Sequence, residues 1–157
     1  MAWSTPYTFT ALELLTAAKL NTMQDNIQFL YDVAMLPRYF GNPLNTDVAL
    51  VVGDDAARFT IPSAFNGWNI TSITATRKSG GTGVPTIQLR NVTDSVDVLS
   101  TKLTIDSGET SSLTAATPPV IDTTKDDVAT DDVFAIDVDV AGTNTFFMYV
   151  LVGLTKP

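Results

Sequence analysis

The chain has 157 residues, enough for one domain with a short appendage. It is 45% apolar and 17% charged, with 9 Lys and Arg against 17 Asp and Glu and a formal net charge of −8; this excludes intrinsic disorder and disfavours binding to nucleic-acid backbones or anionic membranes. It has no Cys and no His, so disulfides, thiolate or imidazole metal sites, Cys nucleophiles and Ser-His-Asp triads all fall away.

The composition changes at Leu36-Pro37. Residues 1–36 carry one Pro and no Gly, whereas residues 37–157 hold all 9 Gly and the other 7 Pro. The boundary is placed there because the residue before a proline is pushed out of the helical region. Two parts are expected: an N-terminal attachment arm and helix over 1–36, and a β-domain over 37–157. The opening residues carry neither a basic nor an apolar run, so no secretory leader is expected. No apolar run approaches the ~18 residues of a membrane helix.

Residues 3–10, Trp-Ser-Thr-Pro-Tyr-Thr-Phe-Thr, read as an irregular arm, since Pro6 interrupts them. Its aromatic side chains Trp3, Tyr7 and Phe9 form a candidate docking surface with Pro6. Thr16 is a candidate N-cap for a helix from Ala17. Leu20, Met23, Ile27, Leu30 and Ala34 are spaced 3, 4, 3 and 4, an a/d seam about two heptads long. Such a seam either lies on the protein's own core or meets its copies from other subunits. Two heptads are marginal alone in water.

Beyond Pro37 the chain is rich in Thr, Val and Ile between turn signals, which predicts strands. Asp47–Val52 is a candidate strand ended by Gly53, and Ala57–Ile61 follows. Asn66-Gly67 is a turn before the strand Trp68–Arg77. Ser79–Gly83 reads as a flexible surface loop. Thr86–Asn91 alternates, with Ile87 and Leu89 on one face. Ser95–Ile105 holds one or two strands, closed by a turn at 106–108. Asp132–Val140 places Phe134, Ile136, Val138 and Val140 on the core face and Asp137 and Asp139 toward solvent. A turn at 141–144 leads to the last strand, Thr145–Val152. Seven or eight strands at this spacing predict a mainly β fold, a jelly-roll-like β-sandwich preceded by an extended arm and one α-helix.

Chemistry is sparse. The Asp clusters at 54–55, 122, 126–127, 131–132 and 137/139 lack the EF-hand's Gly and closing Glu, so solvated turns are expected and no metal site is assigned. Ser79–Gly83 is followed by no Lys-Ser/Thr step or helix, so it is no phosphate loop. A glycosidase needs paired carboxylates in an aromatic cleft, and neither Trp3 nor Trp68 neighbours a carboxylate. Asn69-Ile-Thr71 and Asn91-Val-Thr93 match the glycosylation pattern at the rate chance allows in a Thr-rich chain. No catalytic residue and no cofactor are expected.

Residues 3–21, an aromatic before Thr-Pro and then Thr-Ala-Ala-Lys-Leu-Asn, resemble the start of small virion proteins of tailed bacteriophages. Asp25-Asn26 and Phe29-Leu30 continue the likeness. Phe59-Thr-Ile-Pro62, Asn66–Ile70, Leu99–Glu109, Ala115–Asp122 and Asp126–Asp132 are similar to β-domains of phage fibre or surface proteins. The resemblance implies a non-enzymatic homotrimer located in the virion, a tail or head fibre or a capsid decoration protein. Its partners would be other virion proteins of the capsid, collar or tail, with no nucleic acid and no membrane. A host surface glycan is a further partner if Tyr39, Phe40 or Trp68 forms an aromatic platform.

Overall fold

The computed structural model describes residues 17–34 and 36–157. The chain divides into two units, Met1–Leu36 and Pro37–Pro157. In the first, α1 spans Ala17–Ala34. Its interior has neither Gly nor Pro and is rich in Ala, Leu, Met and Gln, all good helix formers. Pro37 lies just beyond its end, where the ring excludes further helix.

The second unit holds eleven strands among the described residues: β1 (Arg38–Ala49), β2 (Gly53–Thr60), β3 (Trp68–Arg77), β4 (Thr86–Asn91), β5 (Val96–Asp97), β6 (Leu99–Thr101), β7 (Leu103–Thr104), β8 (Val120–Ile121), β9 (Asp127–Val128), β10 (Val133–Val140) and β11 (Phe146–Thr155). The protein is mainly β. One antiparallel sheet runs β1-β11-β3-β9, and a second runs β2-β10-β4-β5 with β7 also paired to β4. β6 and β8 form a separate short pair.

Alternation of side chains builds a shared core. Ile87 and Leu89 on β4, Phe134, Ile136 and Val138 on β10, and Met148, Val150, Val152 and Leu154 on β11 are buried together with Ile70, Ile73 and Ala75 on β3. Each large aliphatic side chain so buried contributes about 1.5–3 kcal/mol. An aromatic run crosses the unit. Phe134 stacks on Phe59 at 5.5 Å and Phe59 on Phe40 at 5.1 Å; Phe40 meets Phe65 edge-on at 5.4 Å and Phe65 meets Trp68 at 5.0 Å. It ties β10, β2, β1 and β3 together.

Three expectations change. The first long strand is Arg38–Ala49 and not 47–52. Gly41 and Pro43 look like breakers, but β1 pairs only with β11, and an edge strand tolerates a missing donor. Val51 and Val52 lie exposed in the connection to β2, and Gly53 opens that strand instead of ending the one before it. Asp137 is buried and not solvated. Val140, placed in the core by alternation, is 46% exposed because β10 runs past the covered part of the sheet.

Ser79–Gly83 also differs from a free surface loop. Gly81 is buried and packs against the turn at 143–144; a Cβ there would lie 2.3 Å from the Thr143 carbonyl oxygen. Arg77 explains why. Its side chain is buried and its Nε donates to the Glu109 carbonyl at 2.7 Å. One terminal nitrogen, Nη2, donates to the carbonyls of Gly81 at 3.1 Å and Asp106 at 2.9 Å. The other, Nη1, donates to Thr145 Oγ1 at 3.1 Å. One guanidinium thus fastens three loops at one end of the unit.

Candidate functional site

The described surface offers two features suited to recognition, one in each unit. The first is the helix seam. Leu20 is 48% exposed, Met23 41%, Ile27 65% and Leu30 54%, although all four are large apolar residues at a/d spacing. Lys19 and Asn26, which are polar, are the buried side chains among the described ones of the same helix. An exposed apolar stripe of this kind is a candidate contact surface. Ala34 closes α1, and its side chain lies outside what is described. The attachment residues Trp3, Pro6, Tyr7 and Phe9, and the N-cap Thr16, lie outside the described residues.

The second feature is the outer face of the β1-β11-β3 sheet. The ladder sets three rows across it: Tyr39–Gly153–Ser72, Gly41–Leu151–Thr74 and Pro43–Tyr149–Thr76. None of these nine positions carries a charge, on a chain of net charge −8. Two of them are glycine for a steric reason. A Cβ on Gly41 would fall 1.8 Å from the Tyr149 hydroxyl oxygen, and one on Gly153 would fall 2.8 Å from the Tyr39 ring and 2.3 Å from Ser72 Oγ. Each tyrosine therefore lies down over a neighbouring glycine. The result is a low, uncharged surface.

The outer face of the other sheet has the opposite character. Arg58 on β2 and Arg90 on β4 flank Ala135, and Arg90 also pairs with Asp97 on β5. Arg90 Nε donates to Asp137 Oδ2 at 2.7 Å and its Nη2 donates to Asp55 Oδ1 at 3.1 Å. Arg58 donates to the same Asp55 carboxylate. Asp55 sits in a two-residue bulge between the Ile136 and Val138 pairings, at φ 59°, and its N–H donates to Asp137 Oδ1 at 2.7 Å. The Arg58 hydrogen bond, with the charges of Arg58 and Arg90, holds the Asp55 carboxyl below the usual range. The Asp137 hydrogen bond raises Arg90. Lys102 and Asp139 add a further pair at 3.0 Å.

Three other acids accept hydrogen bonds from the backbone. Asp132 accepts from Ala129 N at 2.8 Å, Asp106 from Ala116 N at 2.8 Å, and Asp122 from Thr124 N at 3.1 Å. These bonds close turns, and no group of three metal-ligating side chains forms among the described residues. Of the aromatic residues considered for a glycan platform, Phe40 and Trp68 are engaged in the aromatic run. Tyr39 alone stays open, at 59% exposure. Asn91 is buried and donates to Asp94 at 2.9 Å, so it presents no acceptor for a glycan. A separate apolar group, Val48, Val51 and Val52, is exposed around the β1–β2 connection.

The seam was readable from its spacing. The neutral face was not, because β1 was not assigned and the three strands come from distant parts of the chain. Its signal is nonetheless present in the sequence, as every second residue in Tyr39–Pro43, Ser72–Thr76 and Tyr149–Gly153 lacks charge. No helix among the described residues is long and apolar enough to cross a membrane. Comparison with known proteins finds no matching family model, no matching curated protein and no matching solved structure.

Proposed function

We propose that this chain is a non-enzymatic structural protein of a tailed-phage virion, a small homotrimeric fibre or surface protein anchored through residues 1–36. The observation that carries the reading is the exposed Leu20/Met23/Ile27/Leu30 seam, four large apolar residues at a/d spacing on one helix. Identical seams on three chains cover one another, and the assembled helices then present three copies of the aromatic arm to a collar, portal or capsid. The resemblance of residues 3–31 to virion attachment segments supplies the rest.

The β unit is read as a jelly-roll sandwich. What supports this is the strand order: first, last, third and ninth strands in one sheet, second, tenth, fourth and fifth in the other. Long strands adjacent in sequence swap sheets in this way when two Greek keys wind together, an arrangement common in capsid and lectin domains. Analogy at the level of fold carries less weight than the seam.

Quantitative mass spectrometry of purified particles tests the role. The chain should be present in fixed copy number in a multiple of three. A few to a few tens of copies identifies a fibre, and hundreds identify a decoration protein. Absence from particles made in cells that express the chain contradicts the proposal.

A further inference from the structure

We infer that Asn66-Gly67 is a latent deamidation site, whose conversion to isoaspartate the fold holds off and the opening of the short strand β9 releases. The site lies within the β unit and does not depend on what the chain assembles into.

The sequence singles out this pair. The reaction is an attack on the asparagine side chain by the amide nitrogen of the next residue. A β-branched next residue crowds that nitrogen, and a proline has no N–H to lose. Every other asparagine of the chain precedes Thr, Ile, Val or Pro, and Asn66 alone precedes a glycine. Both Asn66 and Gly67 are exposed, so water and solvent base reach them.

No other reactant is needed. The Gly67 nitrogen, its proton lost to solvent base, bonds to Asn66 Cγ. The Cγ–Nδ2 bond breaks, and ammonia leaves after taking a proton from solvent. Water then opens the five-membered imide at one of its two carbonyls. Opening at Cγ gives aspartate. Opening at the main-chain carbon gives isoaspartate, in which the main chain runs through Cβ and Cγ.

Three features of the fold oppose the first step. Asn66 sits at φ −57° and ψ 125°. At that ψ the Gly67 nitrogen is turned away from Cβ about the Cα–C bond, whereas a five-membered ring needs the two nearly eclipsed. The Gly67 N–H donates to the Val128 carbonyl at 2.8 Å, so the attacking nitrogen holds its proton. Asn66 Oδ1 accepts from Thr130 N at 3.0 Å and from Thr130 Oγ1 at 3.3 Å, which fixes the side chain.

One segment, 128–130, supplies two of these three. β9 is two residues long, lies at the edge of its sheet and pairs only with Trp68 and Asn69. Short edge segments open locally at a lower free-energy cost than the whole domain. Opening of β9 frees the Gly67 nitrogen and the Asn66 side chain together, and the turn can then rotate. Isoaspartate lengthens the main chain at the entry to β3 and shortens the side chain. The tie to Thr130 is then lost, and reclosing does not restore it. A plain aspartate keeps the acceptor.

Peptide mapping by mass spectrometry, with the full chain in mildly alkaline buffer with and without denaturing guanidinium chloride, reads the rate. Conversion at Asn66 should be at least about tenfold slower in the native chain. The isoaspartate form should melt below the Asn66→Asp variant. Val128 and Val138 are equally buried, at 2% exposure. Val128→Ala loosens β9 and should speed native conversion; Val138→Ala, on β10, should lower the melt without that acceleration. Equal rates with and without denaturant would overturn the protection, and no conversion in denaturant would overturn the site. Equal acceleration by the two valine variants would overturn release through β9.

Discussion

At Arg77 a single side chain decides whether three loops stay closed. Burial lowers its pKa, and among the described residues no carboxylate pairs with it; the carbonyl dipoles of Gly81, Asp106 and Glu109 face it instead. Arg77→Met should cost about 1–3 kcal/mol for each acceptor it leaves unpaired, read as a fall in urea midpoint. Arg77→Lys should recover little, since an ammonium lacks the planar fork that reaches all four acceptors. Asp55 gives a second outcome at this scale. A carboxyl held below its unfolded value adds stability above that value, near 3.9, and loses it as pH falls through the folded value. Stability should thus decline below about pH 4. Asp55→Asn should flatten that acid limb in thermal melts; an unchanged pH profile would show that the Arg58 and Arg90 pairs contribute nothing there. Neither the role of Arg77 nor the burial of Asp137 could be read from sequence. Alternation put Asp137 on the outer face correctly, but Arg90 comes from a strand 47 residues away, and its approach is what buries the carboxylate.

Among elements, strands were legible where apolar residues alternate along the chain. Thr86–Asn91 and Val133–Val140 are such cases, with Ile87, Leu89, Phe134, Ile136 and Val138 all buried as their spacing requires. β1 was illegible because Gly41 and Pro43 mimic a turn, and their tolerance depends on edge position and on Tyr149, which local sequence cannot show. The glycine-rich stretch 79–83 misled for a related reason. Its glycines serve close packing of backbones. Gly81→Ala should destabilise by about 1–3 kcal/mol, because the methyl meets fixed carbonyls of Thr143 and Asn144. Gly53→Ala meets nothing within 4 Å and should be neutral or stabilising by up to about 1 kcal/mol. Equal melting points for the two variants would refute the three-loop packing. On α1, Ile27→Asp should abolish self-association, since it would bury an unpaired carboxylate, and should leave the melt of the β unit in place.

For the whole molecule, the division at Pro37 separates a unit with its own core from a helix whose apolar stripe is uncovered. Residues 37–157 alone should therefore melt cooperatively and remain monomeric, as circular dichroism and light scattering would report. The break in composition falls at the same residue, while on the proposed reading the use of the helix depends on other copies of the chain. The most direct measurement is sedimentation equilibrium of the full chain at micromolar concentration, beside Ile27→Asp. A mass near three chains for the wild type and one chain for the variant is the expected result. A single-chain mass for the wild type across the concentration range would contradict the account.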